Sequence, residues 1–230
     1  SKNIIAHVRK ATQGGVMLEN AHPFVRELWG RNWVFAHNGD LKDFVPALHG
    51  QFRPIGSTDS EHAFCWLLQE IAKSHAGVPS VEELTLTLAE LVPQISHKGT
   101  FNFVLSNGDA MWAHCSTHLH YLVRAYPFNR ASLMDQDVSV NFAELNNAED
   151  RAAVIVTLPL TADETWATFQ PNELITFVDG APKIHVDLDA AHAQLSADLS
   201  VDMRQAIAEA QADADAAMQR YRQNLGLQAI

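Results

Sequence analysis

Glu19-Asn20-Ala21-His22-Pro23-Phe24-Val25-Arg26-Glu27-Leu28-Trp29-Gly30-Arg31-Asn32-Trp33-Val34-Phe35-Ala36-His37-Asn38-Gly39 is the most informative stretch of this chain. Pro23–Trp29 alternates loosely between apolar and polar residues, Gly30-Arg31-Asn32 marks a turn, and Trp33–Ala36 is a second apolar run. Two such runs joined by a short Gly/Asn turn predict a β-hairpin. His37-Asn38-Gly39 ends the second run. Taken alone, Asn38-Gly39 fits a type I′ turn.

Upstream, Ile4–Val8 reads as a short buried strand that starts with no lead-in and no initiator Met, so we expect the chain to begin inside a domain. Downstream, Ser57-Thr58-Asp59-Ser60-Glu61 offers N-cap candidates, with Glu61 three residues after Thr58 as in a capping box. Ala63, Phe64, Leu67, Leu68 and Ile71 then recur at helical spacing. Pro79-Ser80 opens a second helix that turns Val81, Leu84, Leu88 and Leu91 inward. Phe101–Leu105, Met111–Cys115, His118–Val123 and Ala153–Leu158 read as strands, and Leu174–Val178 with Lys183–Val186 as a hairpin about Asp179-Gly180. Ala125–Arg151 reads as irregular. From residue 187 the composition shifts to Ala, Asp and Gln, and Leu195, Leu199, Met203, Ile207, Ala210, Ala214, Met218, Tyr221 and Leu225 form one stripe. This predicts an amphipathic helical extension over 187–230, packed on its own domain or serving as a homodimer seam.

The 230 residues carry 16 basic and 27 acidic side chains, a net charge of −11. That balance argues against nucleic-acid and anionic-membrane partners, which need clustered Lys and Arg. No apolar run approaches the roughly 18–20 residues of a membrane span, and no signal peptide is visible. Two cysteines, Cys65 and Cys115, give no disulfide framework and fit a reducing cytoplasm.

Four motifs fall within 60 residues: His7-Val8-Arg9-Lys10-Ala11-Thr12, Ala21-His22-Pro23-Phe24, His37-Asn38-Gly39 and Ser57–Glu61. In this order they resemble the class II glutamine amidotransferase domain, a branch of the N-terminal-nucleophile hydrolases. Glu19–Phe24, Arg26–Trp33 and Ala36–Gly39 resemble the stand-alone bacterial proteins of the YafJ type. The resemblance runs to about residue 180 and assigns 1–186 to the domain. It implies an α+β fold, the four-layer αββα sandwich, here without its N-terminal segment. It also implies cleavage of glutamine or a γ-glutamyl amide through an acyl-enzyme. The partners implied are a small-molecule glutamine or γ-glutamyl substrate and a separate ammonia-accepting synthase. No metal or organic cofactor is implied.

The residue types suit that chemistry. Arg9 offers a bidentate fork to an α-carboxylate, Thr12 adds a hydroxyl, and Asp59 suits an α-ammonium. The resemblance gives these three the substrate-binding positions. Asn38, through its side-chain amide, and Gly39, through its backbone N–H, match the family's oxyanion hole. The bland alternatives are a turn for Asn38-Gly39, a helix cap for Asp59 and a solvated strand-end charge for Arg9. His7 and His22 read as buried supports and His37 as serving turn geometry.

The family's nucleophile is an N-terminal Cys whose α-amine acts as base. Ser1, six residues before His7, does not match that position, and Cys65 and Cys115 read as small core residues. The segment is absent, the chain is truncated, or the chemistry has been lost; the 230 residues alone are expected to be inactive. A non-catalytic binding module that keeps the pocket is one competing reading. A metal site is another: His114, Cys115, His118 and His120 lie within seven residues, and His118 and His120 share a face if they lie on a strand. No carboxylate or second Cys stands at ligand spacing, so ordinary strand and turn histidines are the plainer account.

Overall fold

The computed structural model describes residues 2–8, 17–198 and 201–224. It divides into two compact units, residues 1–188 and 189–230.

In the first unit a 3-10 turn, Leu18–Asn20, leads into β1 (Phe24–Leu28) and β2 (Arg31–Leu41). Next come α1 (Asp59–Ser74), α2 (Val81–Ser96), β3 (Gly99–Ser106), β4 (Met111–Cys115) and β5 (His120–Ala125). A small hairpin follows, β6 (Arg130–Ser132) and β7 (Ser139–Asn141), then the single turn α3 (Phe142–Leu145). β8 (Arg151–Val156), β9 (Ala167–Thr168), β10 (Glu173–Val178) and β11 (Ala181–Asp187) complete it. The order β1-β2-β3-β4-β10-β11 makes one antiparallel six-stranded sheet, and β8-β5-β9 a second of three strands.

Strand alternation sorts the sheet residues into two cores. Trp33, Phe35, Phe101, Phe103, Leu105, Trp112 and Leu174 point to one face and pack against Phe64, Leu67, Leu68 and Ile71 of α1 and Leu84, Leu88 and Ile95 of α2. Phe35 stacks on Phe64 with centroids 5.1 Å apart, and Trp33 on Trp112 at 6.1 Å. Each such aromatic, fully buried, contributes about 1.5–3 kcal/mol. The other face presents Ala113, Cys115, Ile175 and Phe177 to Leu119, Tyr121, Phe169 and Ile155, on and beside the smaller sheet. The described residues of this unit therefore stack as a helix pair, a large sheet and a small sheet.

Both helices form as their periodicity predicts, with Ala63, Phe64, Leu67, Leu68, Ile71, Leu84 and Leu88 inaccessible. Ser80 and Glu83 close a true capping box on α2. On α1 only half of the predicted box exists: Thr58 Oγ accepts from the Glu61 N–H, but the Glu61 carboxylate is drawn elsewhere. The first hairpin turns at Trp29-Gly30, both at positive φ (57° and 73°) as a two-residue primed turn requires, and not at Gly30-Arg31-Asn32 as expected, since Arg31 and Asn32 pair with Leu28 and Glu27 in the ladder.

Three other expectations need correction. Ile4–Val8 joins no strand among the described residues, and Ile4 and Val8 face solvent, because an apolar run becomes a strand only where a partner supplies hydrogen bonds. Asn38-Gly39 is no turn, since β2 runs on to Leu41 and pairs Asn38 with Asn102 and Gly39 with Phe101. The stretch 125–151 holds the β6–β7 hairpin and α3.

In the second unit the predicted helical tail is two helices, α4 (Leu188–Asp198, starting at the unit boundary) and α5 (Val201–Asn224). Leu195, Met203, Ile207 and Met218 of its stripe are exposed. Leu199 and Leu225 lie outside the described residues. No helix among the described residues is long and apolar enough to cross a membrane.

Candidate active site

The site grows from the far end of β2. β1 pairs with β2 only from Arg31 to Phe35, so beyond that point, among the described residues, β2 pairs with β3 alone. Asn38, Gly39 and Asp40 are exposed there, while His37 before them is buried. No side chain fits at Gly39: a Cβ would lie 1.8 Å from the Thr100 carbonyl oxygen and 2.5 Å from His37 Nε2.

Asp59 is the first residue of α1, with Thr58 as the N-cap, so the helix-cap reading of Asp59 does not hold. Its Oδ2 accepts from the Leu41 backbone N–H at 2.8 Å, which fixes the carboxylate to β2 two residues beyond Gly39. Oδ1 has only a long contact, 3.4 Å, with the Ser60 hydroxyl.

His37 is 2% exposed and held at both ring nitrogens: Nδ1 meets Ser60 Oγ at 2.9 Å, and Nε2 the Thr100 carbonyl oxygen at 3.0 Å. Burial pulls its pKa below the usual histidine range, against the opposing influence of the Thr100 bond and of Asp59. His37 is thus a neutral strand residue joining α1 to β3, and it serves no turn. His7 and His22 stack with centroids 4.5 Å apart, both half-buried, and His22 lies 4.5 Å from Phe24. Arg9 and Thr12 lie outside the described residues.

Sequence reasoning passed over several residues that shape this place. Asn102, 4% exposed, donates from Nδ2 to the Asn38 carbonyl oxygen (3.1 Å) and to Thr117 Oγ1 (2.8 Å). Its Oδ1 accepts from the Ser116 and Thr117 N–H groups. One buried amide thereby ties Asn38 to the turn after β4. The signal was present in Phe101-Asn102-Phe103, a polar residue inside an alternating strand. Asn20 accepts from the Ser57 N–H at 3.0 Å, and Gly56 admits no Cβ because Asn20 Oδ1 would stand 2.3 Å away.

Glu61, 1% exposed, accepts from the Ile55 and Gly56 N–H groups and pairs with Arg26. It fixes the loop that delivers Asp59. Glu61→Ala would leave Arg26 and two backbone donors without their acceptor. We expect a loss of about 3 kcal/mol, read as a melting temperature lower by about 6–12 °C. A drop under 2 °C would refute this role.

Neither cysteine suits nucleophilic attack. Burial pushes the Cys65 thiol up to about 11 despite nearby Arg26, and raises that of Cys115 too. The histidine-rich run does not converge. His114 and Cys115 point to opposite faces of β4, His118 precedes β5, and His120 contacts Thr168. No cluster of three metal-ligating residues occurs among the described residues. His114 is fully buried, and desolvation lowers its pKa to about 4.

A cavity of about 300 Å³ lies elsewhere, lined by Arg124, Phe128, Asn129, Phe142, Asp163 and Glu164 among others. None of the residues above borders it. Its central charges already satisfy each other: Arg124 forks onto Glu164 at 2.7 and 2.6 Å and stacks on Phe142 at 4.2 Å. The β2 end is therefore the better candidate.

Comparison with known proteins identifies the family. Residues 1–201 match the family of class-II glutamine amidotransferases. A Haemophilus influenzae protein, provisionally named a glutamine amidotransferase, is 45% identical over 195 residues, covering 81% of this chain and 66% of that protein. The Escherichia coli K12 protein YafJ, with the same provisional name, is 45% identical over 181 residues, 78% of this chain and 71% of YafJ. The crystal structure of a predicted glutamine amidotransferase from Pseudomonas aeruginosa PA01 superposes with a TM-score of 0.66 at 39% identity, covering 73% of this chain and 66% of that one. The chain thus spans about two thirds of the length of these relatives. This chain belongs to the class-II glutamine amidotransferase family.

Proposed function

We propose that this chain carries the glutamine pocket of an amidohydrolase that cleaves glutamine or a γ-glutamyl compound. The observation that carries this reading is the Asp59 carboxylate, bonded to the Leu41 N–H on the free edge of β2. The backbone alternates along a strand, so the Gly39 N–H faces the same side as that of Leu41, about 7 Å away along the strand. A carboxylate for an α-ammonium and a donor for a side-chain carbonyl then stand about one γ-glutamyl unit apart.

Arg9 and Thr12 hold the α-carboxylate in this assignment, Asp59 holds the ammonium, and Asn38 and Gly39 take the oxyanion. His7, His22 and His37 support them. The thiol is the N-terminal Cys that the family resemblance implies. Its thiolate adds to the amide carbon, the tetrahedral intermediate expels ammonia or an amine, and water releases glutamate from the thioester. Ammonia is set free or passed to a separate synthase. The fold assigned is the four-layer αββα sandwich for 1–186, with 187–230 as an extension.

The test is glutamate release by the full-length protein from L-glutamine, D-glutamine and γ-glutamyl anilides. We expect saturable, L-selective turnover that thiol alkylation abolishes. Binding of L-glutamine without any glutamate release would make the protein a binding module. Release that survives alkylation would exclude the thiol mechanism.

A further inference from the structure

One hydroxyl hydrogen at the start of α1 has two acceptors within reach. Ser60 Oγ lies 2.9 Å from His37 Nδ1 and 3.4 Å from Asp59 Oδ1, and it has a single proton to give. His37 Nε2 meets the Thr100 carbonyl oxygen, which can only accept, so Nε2 keeps its hydrogen in either charge state. A neutral ring therefore presents a bare Nδ1, and Ser60 donates to it. A protonated ring presents Nδ1–H. Ser60 must then accept from the ring, and its own hydrogen turns to Asp59 Oδ1. That oxygen is the one left open, because Oδ2 is engaged with the Leu41 N–H.

We propose that Ser60 is a positioning residue that couples the charge of His37 to ligand binding at Asp59. With His37 neutral, the hydroxyl is held on the ring and Oδ1 is open to the α-ammonium of the γ-glutamyl ligand. With His37 protonated, the hydroxyl turns onto Oδ1 and competes with the ammonium there. The inference rests on Asp59 being the ammonium clamp, as proposed above. Ser60 and His37 are both buried, 5% and 2% exposed, so bulk water does not stand in for either partner. The charged and titratable groups facing His37 come from α1, β2, β4 and the segment around His7. Asp59 of α1 and Asp40 of β2 favour its cation and His7 opposes it, while His114 of β4 faces it with its own pKa lowered to about 4. Burial outweighs the carboxylates, so the ring is neutral at pH 7 and the open state prevails there. Acidification below the ordinary histidine range closes it.

The test is calorimetric titration of the full-length protein with L-glutamate. This hydrolysis product shares the α-ammonium and is not turned over. For the wild type we expect Kd to rise about tenfold as the pH falls from 8 to below the ordinary histidine range, the loss of one charge-assisted contact. Ser60→Ala should bind within about threefold of wild type at pH 8 and lose no more than about twofold over the same range, the residue left by the imidazolium charge alone in a screened site. Ser60→Thr, which keeps the hydroxyl, should restore the wild-type profile and guards against a folding defect in the alanine variant. A pH dependence that does not pass through the Ser60 hydroxyl would appear in all three proteins. Parallel profiles in wild type and Ser60→Ala, or a flat wild-type profile, would overturn this inference alone. No binding of L-glutamate or L-glutamine at any pH would overturn the ammonium clamp, and the coupling with it.

Discussion

Asp59→Asn is expected to raise KM for L-glutamine about 100-fold in the full-length enzyme and to change kcat by less than about tenfold. Asparagine is nearly isosteric, and its carbonyl oxygen can still accept from the Leu41 N–H that Asp59 holds at 2.8 Å. What it removes is the negative charge. A hydrogen bond to a charged group is worth about 1.5–3 kcal/mol, and truncating one partner of a desolvated pair about 2–5 kcal/mol, which brackets a 100-fold effect. The chemistry at the amide carbon is about a strand pleat away, so kcat should be spared and the melting temperature should stay within a few degrees. Asp59→Ala should lose more in both respects, since it also strands the Leu41 N–H and removes one of the ties between β2 and α1. A KM for Asp59→Asn within threefold of wild type would refute the clamp and leave Asp59 a structural tie.

What the sequence discloses about this site depends on how far apart the deciding residues lie. The faces of α1 and α2 were legible because helix periodicity is local: Phe64, Leu67, Leu68, Leu84 and Leu88 recur within each segment and all reach the core. The first hairpin was legible for the same reason, its turn chemistry lying in two adjacent residues. Asn38-Gly39 misleads as a dipeptide. Its turn propensity is overruled by β3, whose residues stand more than 60 positions later and extend the pairing to Leu41. Glu61 misleads in the same way. Its spacing from Thr58 suits a capping box, but Arg26 and the Ile55 and Gly56 N–H groups hold its carboxylate, and only tertiary structure brings Arg26 there. The Ile4–Val8 run carries strand composition without a strand. Spacing alone could not show that Asp59 ties α1 to β2, nor that His37 spans from Ser60 to Thr100. Those links join the His37–Gly39 and Ser57–Glu61 motifs into one place.

The strongest test of the oxyanion assignment is the contrast between two adjacent substitutions. Asn38 is exposed, and what the fold asks of it is its backbone: the carbonyl oxygen accepts from Asn102 and the strand pairs with β3. Asn38→Ala keeps all of that and removes one side-chain donor. We expect kcat to fall about 100- to 1,000-fold, the usual consequence of losing an oxyanion donor, with KM nearly unchanged and the melting temperature within about 2 °C. Asn38→Asp should fall at least as far, because it sets a negative charge where another develops. Gly39→Ala should behave differently. Its methyl would meet the Thr100 carbonyl oxygen and His37 Nε2, both far inside contact distance, so β2 and β3 must separate there. That displacement disturbs the His37–Thr100 bond and the approach of Asp59 together, so kcat, KM and stability should all suffer. If Asn38→Ala instead kept kcat within threefold of wild type, its side chain would be no oxyanion donor. If Gly39→Ala lost activity without losing stability, the close packing at Thr100 would not be what reserves that position for glycine, and unhindered access to the backbone N–H would have to be the reason.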